Sequence, residues 1–227
     1  MLISKVVLNW YQYDVSFSIE LIESFIEGIE IQADESIIRY EKKKETLVFD
    51  EVPEENSARV VETYQGLNSE TWKLKNIFCV HFPSMQRRSA LLTISGYFEH
   101  ELNKLCKQYQ SEKSFKLALS DISGKGISRS SKYLEKVAGL DVHKTSKEWN
   151  QIKKIQKIRN VIVHQDGKLH DHQGNPIMDA INYIKEINSL DGEYEVVIKK
   201  GFLEYVVGIY KQYFKLLDES ISAKKKN

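Results

Sequence analysis

Arg159 and His164 stand five positions apart in the stretch that runs from Thr145 to Gly167. An arginine keeps its proton at any accessible pH, whereas an imidazole gains and loses one near neutrality. Together they suit phosphate chemistry. The guanidinium grips phosphoryl oxygens and steadies the charge of a pentavalent transition state, and the imidazole moves a proton. RNA supplies its own nucleophile in the 2′-hydroxyl, so its cleavage needs neither a metal nor an enzyme nucleophile. Asn160 adds a side chain that orients the phosphate or the imidazole.

The element that carries these groups is a helix. Thr145 and Glu148 have capping-box spacing, and Asp166-Gly167 is turn chemistry that ends it. Ile152, Ile155, Ile158 and Ile162 recur at helical spacing and predict a core-facing stripe. Lys153, Gln156, Lys157, Asn160 and His164 fall on a roughly opposite face, where Lys153, Gln156 and Lys157 are candidates to track an RNA backbone. Arg159 falls on the border of the stripe, roughly 140° from His164 on an ideal helix, so the two do not stack as an i, i+4 pair would. Either the long Arg159 side chain leans toward a shared cleft, or a second copy of the helix completes the geometry.

The run Arg159-Asn160-Val161-Ile162-Val163-His164 resembles the signature of the HEPN superfamily, in which an Arg, a polar residue, three further residues and a His lie late in a long helix of a small all-α bundle. Leu91 to Leu102 also looks like that family's first core helix, and the resemblance covers about residues 72–222. It implies a metal-independent endoribonuclease working as a homodimer, with both Arg–His pairs lining one groove and Arg159, His164 and Asn160 as catalytic residues. Cleavage would leave a 2′,3′-cyclic phosphate and a 5′-hydroxyl. Members commonly serve as toxins or antiviral-defence effectors, so an antitoxin or defence-system partner is implied. In one toxin branch a Tyr two residues after the His is modified by an antitoxin nucleotidyltransferase. Asp166 stands at that position and departs from this mode of control. Glu99, beside the stripe of the upstream helix, has two readings: a carboxylate that holds Arg159 by a bidentate pair, or an exposed helix residue.

Of 227 residues, 41% are apolar and 29% charged, with three prolines and eleven glycines, which suits a globular, helix-rich chain. The net charge of +1 hides an asymmetry. Residues 1–70 hold 6 basic and 15 acidic residues, net −9, and residues 71–227 hold 27 and 17, net +10. The half with the Arg–His motif is therefore the basic one, as phosphate contact requires. Cys79 and Cys106 lack metal-ligand spacing and read as reduced core residues. The apolar start is too short to span a membrane and no small-residue cleavage site follows it, which predicts a cytoplasmic protein without membrane contact.

The expected fold is all-α in the main: a HEPN-like helical bundle over 71–222, an acidic helical extension over 1–70 packed on it, a basic disordered tail at 223–227, and at most one short strand or hairpin. Within the extension, a helix is expected from Ile22 through Phe25, Ile26 and Ile29 to Lys44, a loop over Phe49–Asn56, and a second helix from Ser57. Leu2 to Tyr13 fits a strand or a helix. Ser84 is placed as the cap of a helix with Leu91, Ile94, Phe98, Leu102 and Leu105 as its stripe, after an interruption at Pro83. Ser123 to Ser131 lacks P-loop spacing and reads as a connector before a helix through Tyr133, Leu134 and Val137, with a lesser reading in which Lys125 and Arg129 touch RNA phosphates nonspecifically. His170 and His172 have metal-ligand spacing only on a strand and no further ligands nearby, so no metal and no cofactor is expected. A short strand is expected over Tyr194–Ile198 and a closing helix over Phe202–Ile221. The substrate expected is single-stranded or loop RNA, with transfer RNA loops fitting the need for a free backbone. The rival is a noncatalytic module that holds RNA or a nucleotide in the same basic groove.

Overall fold

The computed structural model describes residues 9–52 and 57–226, of which 67% are helix and 11% strand, so the chain is mainly α. A π turn at Tyr11–Val15 leads into α1 (Ser16–Lys43). Then come β1 (Glu45–Val52), β2 (Ser57–Tyr64), β3 (Leu67–Asn68) and the short α2 (Leu74–Asn76). A second π turn at Ile77–His81 runs into α3 (Phe82–Lys113), followed by α4 (Gly126–Lys136), α5 (Lys147–Gln165) and α6 (Met178–Glu186). Two-residue strands β4 (Leu190–Asp191) and β5 (Val197–Ile198) precede α7 (Phe202–Lys226).

The core forms where the apolar stripes of α3, α5 and α7 meet. Leu91, Ile94, Phe98, Leu102 and Leu105 are at most 1% exposed, and Ile152, Ile155 and Ile158 are fully buried. Each such side chain contributes about 1.5–3 kcal/mol by leaving water. Phe98 stacks on Tyr210 of α7 at 4.1 Å, and Trp149 of α5 meets Tyr213 at 5.3 Å, so aromatic contacts link all three helices. Trp10, Ile19, Ile22 and Ile26 join the same core, which packs α1 against the bundle. Phe25, expected inside, is 37% exposed, and with Tyr13, Phe17 and Leu21 it forms an open apolar row along α1.

Several expectations are corrected. Residues 57–64 form a strand, and Phe49–Val52 belongs to β1 (Pro53–Asn56 lie outside the described residues). β1 and β2 pair antiparallel, with Leu47 opposite Val61, and β3 extends the sheet. The acidic segment is thus a helix followed by a small sheet, and β4 and β5 form a second antiparallel pair, so the described residues hold more strand than one hairpin. For β2 and β3 the cause is visible at Gln65-Gly66: both take positive φ, 49° and 78°, which is the two-residue hairpin geometry joining Tyr64 to its partner Leu67. Pro83 does not interrupt α3. It sits in the first turn, where a missing N–H costs nothing, and the preceding π turn carries the chain into the helix. Ser84 is no cap: its buried hydroxyl accepts the Ile198 N–H at 3.0 Å. Finally, α7 continues beyond Ile221 to Lys226, and Lys224 donates to the Ala138 carbonyl.

A buried ion pair ties α1 to α3. Arg87 is gripped by both carboxylate oxygens of Glu30, at 2.6 to 3.0 Å, with both side chains at most 7% exposed. Removing one partner strands a buried charge, so Arg87→Ala should lose about 3–5 kcal/mol in urea unfolding. The double change Glu30→Leu with Arg87→Met should recover most of that loss; a double variant as unstable as Arg87→Ala would mean that the pair is not the cause.

Candidate functional site

α5 carries the residues singled out in the sequence, but its start lies one residue later than expected. Ser146, not Thr145, is the N-cap, its hydroxyl accepting the Trp149 N–H at 3.1 Å, and Glu148 is buried. The helix ends at Asp166, in the left-handed conformation at φ 54°, with Gly167 following at φ 78° and its N–H returning to the Val161 carbonyl at 3.1 Å. A Cβ on Gly167 would lie 2.7 Å from the Arg88 guanidinium, so only glycine fits this close approach.

Arg88 fixes what comes next. Its buried guanidinium donates to the Val196 carbonyl and lies 3.3 Å from Glu195, which also meets His81 at 3.0 Å. Val196 in turn donates to the Gly167 carbonyl, and Leu169 donates to the Tyr194 carbonyl, both at 2.8 Å. The chain after α5 is thereby pinned. Asp171 holds the next turn by accepting the N–H groups of Gln173 and Asn175 at 2.9 Å, and these hydrogen bonds keep its carboxyl below the usual aspartate range.

Between the end of α5 and this turn lies an open cleft of about 530 Å³, lined by Ile162 to Asp166, Lys168 and His170 to His172. His164 is exposed there, and no hydrogen bond or ion pair among the described residues engages its imidazole. Lys168 and His170 are likewise unengaged through their side chains, whereas His172 lies close enough to Asp171 to lower that carboxyl's pKa. Among the described residues no group of three or more His, Cys, Asp or Glu stands where it could hold a metal ion. The cleft collects three imidazoles and an ammonium. The two-residue spacing of His170 and His172 points only to metal ligation; the Asp171 turn, with its Gly174-Asn175 signal, is what brings them into the cleft with His164.

Arg159 is elsewhere in the single chain. It is half-buried, donates to Asn160 Oδ1 at 3.2 Å, and its charge acts on the Tyr210 hydroxyl. Asn160 is exposed and orients Arg159 rather than His164. Gln156, expected on the open polar face, is half-buried and hydrogen-bonds to Tyr210. Lys157 is held by Asp179 of α6 at 2.5 Å, an exposed pair that a phosphate can displace. Lys153 is exposed and unengaged. Glu99 makes no pair with Arg159; its carboxylate lies against Gly126, 3.4 Å from where a Cβ would stand.

Of the acidic residues on α1, Glu23 pairs with Lys211 at 2.8 Å, Asp34 with Lys200 at 2.6 Å and Glu30 with Arg87. They neutralise cations on α3 and α7 and the turn before α7, and leave the cleft at the end of α5 uncovered. Cys106 is buried, which pushes its thiol up to about 12, and Cys79 is half-buried; both are free. Among the described residues no helix is long and apolar enough to cross a membrane.

No family model, no curated protein and no solved structure matches this chain.

Tyr210 gives a pH test of the packing beneath Arg159. Burial raises its pKa to about 12, against the smaller opposing effects of Ser95, Gln156 and Arg159. The folded state therefore holds this proton more tightly than the unfolded state does. The stability so gained is whole below the ordinary tyrosine value of 10.0 and is lost as pH rises through about 12. Tyr210→Phe should reduce the alkaline loss of unfolding free energy, measured in urea between about pH 9 and about pH 12, by about 2 kcal/mol. An identical alkaline slope in the variant would show that Tyr210 ionises freely.

Proposed function

We propose that the chain is a metal-independent endoribonuclease of the HEPN type, acting on single-stranded or loop RNA through the cleft at the end of α5. The observation that carries this reading is His164. It is an exposed imidazole with no protein partner, in an open cleft that also holds Lys168, His170 and His172, on the basic part of the chain. A histidine left unengaged beside a second imidazole and an ammonium suits proton transfer around a phosphodiester better than it suits packing.

In this reading His164 takes the proton of the 2′-hydroxyl. The 2′-oxygen attacks phosphorus, the bond to the 5′-oxygen breaks, and that oxygen leaves with a proton from a second imidazole of the cleft, His170 or His172. The products are a 2′,3′-cyclic phosphate and a 5′-hydroxyl end. Lys168 steadies the phosphorane charge within one chain. Arg159, turned toward Tyr210 and Asn160, reaches the phosphate of a second active cleft in a homodimer, where the partner's Arg159 would serve His164 in return. Lys153 tracks the backbone, with Lys157 once it is released from Asp179. The biological role proposed is that of a toxin or defence effector.

The test is cleavage of end-labelled single-stranded RNA with and without EDTA. Cleavage should survive EDTA, and His164→Ala and Arg159→Ala should each lose about 10²–10⁴-fold in rate while melting like the parent chain. Mixing the two inactive variants should restore part of the activity if each cleft draws its arginine from the partner. His164→Ala cutting at the parent rate would remove the assignment. RNA binding without cleavage by the parent chain would instead favour a noncatalytic RNA-binding module.

A further inference from the structure

A second cleft, of about 460 Å³, lies between α3, α4 and the turn Ala118–Ser120 that joins them. His100, Asn103, Lys104, Lys107 and Gln110 recur at helical spacing, so one face of α3 forms its floor. Arg129 of α4 forms a wall. No carboxylate lines the cleft, while four cationic or titratable nitrogen groups do. Lys104 is shared loosely with Asp14 at 3.5 Å and Glu101 at 3.7 Å. Among the described residues, no hydrogen bond or ion pair engages the His100 or Lys107 side chain. Arg129 Nε is sealed from solvent and has no acceptor. A buried guanidinium N–H without an acceptor is an unmet demand, and the same part-exposed guanidinium side chain borders the cleft without a carboxylate partner.

The remaining polar groups point to the same ligand chemistry. Ser130 donates to Asn103 Oδ1 at 2.6 Å, which uses the acceptor end of that amide and leaves its two N–H donors. The turn above is held in place: Asp121 accepts the Ala118 N–H at 2.8 Å, and Tyr133 donates to the Leu117 carbonyl at 3.1 Å. The cleft is thus a donor-lined site on rigid supports. Its volume matches a small ligand rather than a long strand. It has no Phe, Tyr or Trp ring on which a base could stack, so recognition falls on charge. His100 and Lys107 are about 10 Å apart along the helix axis, more than a single phosphate spans.

We propose that this cleft binds the oligophosphate group of a small molecule, a di- or triphosphate, with Arg129 and Lys107 as the principal contacts. The proposal does not depend on the RNA reading of the other cleft. It assigns the chain a second, small-molecule ligand, held by cations and amide donors.

The experiment is calorimetric titration of the full chain with sodium tripolyphosphate, orthophosphate and sulfate at matched ionic strength. Tripolyphosphate should bind saturably at one site, about tenfold or more tightly than orthophosphate, since each added phosphoryl group brings further charge-assisted bonds. Lys107→Gln changes an exposed side chain and keeps the fold; it and Arg129→Gln should each weaken the binding about tenfold. His164→Ala, at the other cleft, should leave it unchanged. Non-saturable binding, equal affinity for all three anions, or indifference to both substitutions would overturn the site. So would loss of tripolyphosphate binding in His164→Ala, which would move it to the other cleft. If the two substitutions weaken single-stranded RNA binding as much as tripolyphosphate binding, the face is an RNA surface and the small-ligand proposal fails.

Discussion

Arg87 and Arg88 lie side by side at the start of α3 with their guanidinium groups withdrawn from water, and neither can shed its proton. The fold must therefore bring acceptors to them. Glu30 of α1 closes on Arg87 with both oxygens, while Arg88 takes the Val196 carbonyl and reaches Glu195. Ser84, one turn earlier, accepts the Ile198 N–H. Two neighbouring arginines and a serine thus hold α1 on one side and the strand before α7 on the other. That strand carries the constraint to the end of α5, since Val196 and Tyr194 bond to Gly167 and Leu169. The position of the His164 cleft is a consequence of satisfying two buried cations some seventy residues upstream in sequence, not a property of α5 alone.

The same need to pair charges decides which cations remain available. α1 is strongly acidic, and its Glu30, Asp34 and Glu23 carboxylates are spent on Arg87, Lys200 and Lys211. α6 occupies Lys154 and Lys157 through Glu186 and Asp179. Among the cations left without a carboxylate are Lys153 and Lys168 about the end of α5, and Lys107 and Arg129 between α3 and α4. A net charge of +1 conceals this completely, because the excess of positive charge is local. Anionic ligands respond to local fields from unpaired groups, within about 8 Å at physiological salt, far more than to the total.

Buried tyrosines complete the picture of how Arg159 is restrained. Its charge lies by the Tyr210 hydroxyl, which Ser95 and Gln156 also engage, and Asn160 accepts one of its N–H groups. A guanidinium with partners on its own chain is preorganised rather than searching.

Much was legible in the residues alone. The stripes Leu91–Leu105 and Ile152–Ile158 determined two core helices, because apolar side chains at helical spacing can be buried together only on a helix. The Asp166-Gly167 pair determined where α5 stops, and the exposure of His164 followed from its place opposite the isoleucines. The strand β2 was signalled by Val60-Val61 and its hairpin to β3 by Gln65-Gly66, but charged residues between the apolar ones gave the segment a helix-like composition, and only pairing with β1 and β3 selects the strand. Tertiary structure alone decided the rest. Gln156 and Arg159 turn inward because Tyr210, more than fifty residues away, offers them a partner, and Lys157 is occupied because α6 lies beside it. A helix's sequence states which side chains share a face; which of them keep a free charge depends on what the other elements bring against that face.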